Sequence, residues 1–252
     1  RMGYLSGREV AAKGAGKGVI LHLHGGGFTC GSSISHTPVA ARLSAATGAR
    51  VVLPDYRLAP EHLFPAAHDD ALSVYRWLLD QGVAAGEIAI SGDSSGGGMA
   101  LSLLQTIVAQ GLPKPACGVL LSPWTDLECM GASYVDNAAL DPITSRDMAR
   151  GMAAAYLGDK GDVRDPRASP VHGEFRGLPP LLIDVGDREI FRDDSRVIAD
   201  KAREAGVEVR FTEWPGMIHV WHLFASEITE GREAIQKIGE FVKKSFRHSV
   251  AA

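Results

Sequence analysis

Six short, near-continuous apolar runs punctuate the chain: GVILHLH (18–24), RVVLPDY (50–56), EIAISG (87–92), CGVLLSP (117–123), PLLIDVG (180–186) and VEVRFTEW (207–214). Runs of this length without clean polar alternation are the pattern of parallel strands buried on both faces. Between them lie helix-like stretches at Pro38–Thr47, Pro65–Gln81, Gly97–Gln110, Arg192–Ala205 and Ser226–Phe246. Pro65 is expected at the first helical position, where a missing N–H costs nothing. This alternation predicts an α/β fold with a mostly parallel, doubly wound sheet flanked by helices. The rhythm breaks across 124–179, where TSRDMARGMAAAYLG (144–158) is followed by the turn-rich DKGDVRDPRASP. An excursion from the carboxyl edge of a sheet covers a binding crevice. This one is too short to bury its own core. It is therefore expected to contribute a cap and pocket wall to a single domain spanning 1–252.

Composition narrows the function classes. The chain has 252 residues, 45% hydrophobic and 22% charged, with a formal net charge of -4, ordinary values for a globular protein. No basic cluster marks a nucleic-acid partner, and no apolar run approaches the roughly 18–20 residues of a membrane span. The opening RMGYLSGREV lacks the apolar core of a signal peptide. Cys30, Cys117 and Cys129 are an odd, scattered set without CxxC spacing. They read as free thiols in a reducing compartment, which points to the cytoplasm. His22 and His24 share one side of a strand, but no Cys, Asp or Glu near them in the sequence completes a ligand set. No metal or other cofactor is expected.

The chemistry centres on AISGDSSGGGMA (89–100), a G-x-S-x-G pattern between a strand and a helix. A serine hydroxyl is a poor nucleophile unless a sharp turn exposes it beside a base. In a strand–elbow–helix turn, the residues two before and two after the serine crowd each other and must be small. Ser94 has Gly92 and Gly96 there, whereas Ser95 would have Asp93 two places before it. Ser94 is therefore the candidate nucleophile. HLHGGGF (22–28) places three glycines at the end of the first strand, where bare backbone N–H groups can approach a ligand. Gly26 and Gly27 are the expected oxyanion donors, with the Ser95 N–H as a third.

A base belongs in the loop beyond the last strand. There, EWPGMIHVWHLF offers His219, just after a Pro-Gly turn, and His222 beside apolar residues. His219 is the candidate base, and His222 is read as packing or surface. The acid should follow PLLIDVG, because the chain order of this arrangement is Ser, then Asp or Glu, then His. Asp187, Glu189, Asp193 and Asp194 all qualify, and spacing alone does not choose among them. Those not used are expected to be solvated charges at a helix start.

Taken together, HGGGF, DYRLAPEHLFPAAHDDA, GDSSGG, SPWTDL and WPGMIHVW resemble the hormone-sensitive-lipase-like (bacterial family IV) esterases of the α/β-hydrolase superfamily, whose elbow usually reads G-D-S-A-G. The resemblance implies an α/β-hydrolase fold with a partial helical cap and a serine carboxylic-ester hydrolase acting on short-chain acyl esters. It carries the oxyanion glycines to Gly26 and Gly27, the nucleophile to Ser94 and the base to His219. Set against the family's D-P-L-x-D-E, EIFRDD (189–194) favours Glu189 as the acid, with Asp187 as runner-up. Phe28, Trp124 and Trp221 are candidate pocket aromatics. The family usually carries further helices before its first sheet strands, so the amino-terminal cap is expected to be truncated or halved here. An open site with exposed apolar lining is then expected to favour self-association as a homodimer. The competing functions are a lactonase or deacetylase of a small natural product, and a non-catalytic small-molecule binding protein on the same fold.

Overall fold

The apolar runs form six strands of a seven-stranded sheet, five of them inner and the last at one edge, in the computed structural model, which describes residues 2–250 and the side chains of residues 2–246. In chain order the strands are β1 (Gly7–Val10), β2 (Val19–Leu23), β3 (Arg50–Pro54), β4 (Ile88–Asp93), β5 (Cys117–Leu121), β6 (Leu181–Gly186) and β7 (Val209–Trp214). Across the sheet they stand β1-β3-β2-β4-β5-β6-β7, with neighbours parallel except β1 against β3. Strands β2, β4, β5 and β6 are buried at every position, which is why their sequences show no polar alternation. Strand β1 is an addition to the six expected. Its residues, GREV, are mostly exposed, so a four-residue edge strand leaves no hydrophobic signature.

Helices α1 (Thr37–Thr47) and α7 (Thr229–Val250) cover one face of the sheet. Helices α2 (Ala66–Asp80), α3 (Ser95–Ala109) and α6 (Arg192–Glu204) cover the other. Alternate strand residues feed the two cores. Ile88 and Ile90 of β4 pack with Leu101 and Leu104 of α3, whereas Ala89 joins Val39 of α1 and Ile238 of α7. Each fully buried Leu or Ile of this kind contributes about 1.5–3 kcal/mol. Pro65 lies one place before the expected position, as the N-cap of α2. Its carbonyl accepts the first helical hydrogen bond from Asp69 N at 2.9 Å. Among the described residues, no helix is long and apolar enough to cross a membrane.

From β2 the chain steps outward to β3, then returns past β2 to β4 and continues the other way. The strand order thus reverses between β2 and β4, and a crevice opens at their carboxyl ends. Residues 124–179 include two α-helices, α4 (Ser133–Asp136) and α5 (Arg146–Leu157), the latter capped by Ser145 Oγ accepting from Met148 N. Two acids expected to be solvated instead hold this segment down. Buried Asp194 accepts from the backbone N–H groups of Thr125 and Asp126, both at 2.9 Å. Half-buried Asp193 accepts from Ser133 N at 2.8 Å. The three cysteines form no disulfide, and burial pushes the Cys117 and Cys129 thiols up to about 12.

Candidate active site

Strand β4 runs directly into Ser94, which adopts φ 54° and ψ −125° before α3 begins at Ser95. Positive φ costs a non-glycine residue on the order of 1–3 kcal/mol, so the surroundings must impose it. They do so through the backbone: Ser94 N donates to Leu121 O at 2.9 Å, and Ser94 O accepts from Trp124 N at 3.0 Å and Gly98 N at 3.1 Å. The flanking glycines are required by contact. A Cβ on Gly92 would lie 2.1 Å from Gly96 O, as the crowding argument anticipates. A Cβ on Gly96 would instead strike β2, 2.0 Å from Leu23 O, so the second glycine is dictated by the neighbouring strand.

At this turn three side chains from distant parts of the chain meet. His219 Nε2 lies 2.9 Å from Ser94 Oγ, and His219 Nδ1 lies 2.9 Å from Glu189 Oε2. Glu189 is fully buried, and its Oε1 accepts from Gly186 N at 2.6 Å and from Ser122 Oγ at 2.7 Å. Asn137 Nδ2 donates to the carbonyls of Asp187 and Glu189, fixing the backbone of that loop. The His219 ring is also buried and meets the Phe191 ring edge-on, with centroids 5.0 Å apart. Burial pushes the His219 pKa down, but the hydrogen bond and charge of Glu189 outweigh it and leave the pKa above 6.5.

Asp187 stands elsewhere, its Oδ1 accepting from Gly216 N at 2.7 Å in the turn before His219. It braces that loop and makes no contact with the imidazole. His222 is buried against Trp221, with ring centroids 3.9 Å apart, and its Nε2 lies 3.7 Å from Asp184 Oδ2.

The glycine-rich loop after β2 is tied to the elbow by residues whose association is invisible in one dimension. Asp93 Oδ1 accepts from Gly25 N at 3.1 Å and lies 3.2 Å from His22 Nε2, while Oδ2 lies 3.3 Å from His36 Nε2. His22 thus gains a carboxylate neighbour from 71 positions along the chain, because parallel pairing sets β2 beside β4. Burial pushes the Asp93 carboxyl up, but His36 and His22 more than offset it and hold it well below the usual range. The same partnership leaves His36 raised despite its burial. His24 turns its Nδ1 to Gly25 O at 2.7 Å, and burial takes its pKa down to about 4, so the ring is neutral.

Gly26 and Gly27 have φ values of 122° and 61°, which favour glycine. A Cβ on Gly26 would meet Cys30 O at 2.2 Å. Both glycines line a cavity of about 260 Å³ together with Ser94, His219, Trp124 and Met152. Of the three expected pocket aromatics, Trp124 lies on this wall and the other two do not. Phe28 is buried in the core, stacked on Tyr156 at 3.9 Å, and Trp221 is buried against Trp214 and His222. Phe191 and the α5 residues Met148, Ala149 and Met152 take their place. A larger groove of about 760 Å³ runs along α1 and α7, lined by residues such as Arg42, Ala46 and Ile235, and holds none of this chemistry.

Comparison with known proteins agrees with the architecture. Residues 20–223 match the family described as alpha/beta hydrolase fold. An acetyl-hydrolase of Streptomyces hygroscopicus is 45% identical over 89% of this chain and 75% of that protein. An esterase of Acinetobacter venetianus is 36% identical over 96% of this chain and 80% of its own length. The crystal structure of an esterase from the bacterial hormone-sensitive lipase family, 43% identical, superposes with a TM-score of 0.93 over 94% of this chain and 80% of that one. The chain belongs to the α/β-hydrolase fold family, in its hormone-sensitive-lipase-like branch of esterases.

Proposed function

We propose that this carboxylic-ester hydrolase cleaves short-chain acyl esters through an acyl-enzyme on Ser94, with His219 as base and Glu189 as its orienting acid. The observation that carries this reading is the unbroken relay from Ser94 Oγ through both His219 nitrogens to Glu189 Oε2 at one wall of the cavity. His219 Nε2 takes the hydroxyl proton as Ser94 Oγ bonds to the ester carbonyl carbon. The N–H groups of Gly26, Gly27 and Ser95 stabilise the oxyanion, and the imidazolium returns its proton to the departing alkoxide. Water, deprotonated by the same nitrogen, then releases the carboxylic acid and frees the serine. A cavity of about 260 Å³ supports a small acyl group, and the acetyl-hydrolase and esterase relatives point the same way. The test is incubation with p-nitrophenyl acetate and butyrate, with intact-protein and peptide mass spectrometry after rapid acid quench. Steady hydrolysis with an acyl increment on the Ser94 peptide is expected. A folded chain that binds these esters but neither releases nitrophenol nor acquires the increment would be a binding protein, and the proposal would fall.

Two further expectations follow from the same geometry. Only the neutral imidazole accepts the serine proton, so activity is lost as pH falls through the His219 pKa. Because that pKa is raised, the acidic limb of kcat/KM should have its midpoint above pH 6.5. A midpoint that did not fall when Glu189 was replaced by Gln would show that the carboxylate does not raise it.

The second expectation concerns acyl length. Helix α5 closes the cavity over Gly27, where a Cβ would lie 2.1 Å from Met152 Sδ. We assign Met152 as the stop for the acyl chain. Met152→Ala should raise kcat/KM for p-nitrophenyl octanoate relative to butyrate by about 10-fold, the worth of one or two methylenes of added room. An unchanged chain-length profile would remove α5 from the acyl wall.

A further inference from the structure

Directly after β5, Ser122 adopts φ 46°, a left-handed non-glycine residue beside the site, as Ser94 and Val220 also are. It is fully buried, and its amide donates to Asp184 O on β6 at 2.7 Å. Its hydroxyl does two things at once. It donates to Glu189 Oε1 at 2.7 Å, and it accepts from Val220 N, the amide next to His219, at 3.1 Å. One oxygen therefore touches both the acid on the β6 loop and the backbone that carries the base on the β7 loop.

The last torsion of a glutamate is broad, so a carboxylate held by one contact can rotate. Here Oε1 is held by two donors, Ser122 Oγ and Gly186 N, which fixes the carboxylate plane and leaves Oε2 facing His219 Nδ1. The acceptor side of the same hydroxyl anchors the His219 loop. We infer that Ser122 is a positioning residue that locks the acid and the base into mutual register, making the working unit four side chains. This inference rests on the reading of Ser94, His219 and Glu189 as the relay. Ser122 touches neither the ester nor the reacting atoms, and acts through Glu189 and His219. Few other side chains could serve. Alanine removes both bonds, cysteine is a weak donor, and threonine adds a β-branch where φ is positive.

The experiment compares Ser122→Gly, Ser122→Ala, Glu189→Gln and the Ser122→Gly/Glu189→Gln pair, with kcat, KM and pH profiles on p-nitrophenyl butyrate. Glycine adopts φ 46° without strain, so this variant removes the hydroxyl without burdening the backbone, and carries the test if the alanine variant does not fold. Loss of a group that orients a catalytic residue typically costs about 10- to 100-fold. That loss is expected in kcat for Ser122→Gly, with KM within about twofold. The acidic limb should also move down in pH, because a loosened Glu189 no longer offsets the burial of His219. In the Glu189→Gln background the added loss should shrink to less than about threefold, since both changes break one device. A Ser122→Gly variant with parental kcat and pH profile, or losses that multiply independently in the pair, would overturn the inference. If Glu189→Gln alone kept full activity, the relay reading itself would be at fault.

Discussion

Ser94→Ala is expected to hydrolyse p-nitrophenyl butyrate about 10⁴- to 10⁶-fold more slowly than the parent, with circular dichroism unchanged. The magnitude follows from what remains. The elbow backbone, the Gly26 and Gly27 amides and the cavity persist, so the proposed oxyanion site and ester pocket are expected to survive. The step that forms the acyl-enzyme has no atom to perform it. Alanine adopts φ 54° no more readily than serine, and the bonds of Ser94 N and O that hold this conformation are made by backbone atoms, so no new strain enters. KM should stay close to the parental value, because ground-state binding is provided by the cavity wall. Activity within about tenfold of the parent would place the nucleophile elsewhere.

Glu189→Gln should lower kcat by about 10⁴-fold, and the structure gives the route. Two donors, Gly186 N and Ser122 Oγ, converge on Oε1, so the new amide must present its oxygen there. Its NH₂ then faces His219 Nδ1, where the carboxylate had accepted. Two donors cannot share that contact. The imidazole must move its proton to Nε2, the nitrogen 2.9 Å from Ser94 Oγ, and a protonated Nε2 cannot receive the serine proton. The variant also loses the charge that raises the His219 pKa, so its residual activity should titrate at lower pH than the parent's. Asp187→Asn is the matched control. That carboxylate accepts from Gly216 N, and a carboxamide oxygen can do the same, so kcat should stay within about twofold. A reversed pattern would make Asp187 the acid.

Some of this site could be read from the chain because its signals are local. The inner strands show themselves as unbroken apolar runs, and Ser94 stands out against Ser95 by the sterics of its immediate neighbours. His219 follows from its place after the last strand. The acid was ambiguous for a physical reason. Four carboxylates crowd eight residues, and only the path of the chain after β6 decides that Glu189 faces inward while Asp187 braces the Gly216 turn and Asp194 pins residues 125 and 126. Phe28 and Trp221 were unreadable for a similar reason, since an aromatic beside a motif packs as readily into the core as into a pocket. Asp93, His36 and Ser122 left little signal. Each is an ordinary residue type whose role depends on partners 57 to 98 positions away. Strand β1 was silent because it is short, polar and at an edge.

Ser94, Glu189 and His219 follow β4, β6 and β7, strands that lie side by side only with β5 in place between the first two. Ser94 and His219 are 125 residues apart in the chain, whereas Glu189 and His219, 30 residues apart, follow neighbouring strands of one β6–α6–β7 unit. On the proposed relay, catalysis is therefore a property of the completed sheet. A chain with native helices but a slipped or unpaired β6 would look folded by its secondary structure and turn over nothing. Contacts this distant in sequence carry the entropy of closing the intervening loops. Ester hydrolysis thus reports, in one optical reading, whether the carboxyl-terminal half of the sheet has docked on the rest.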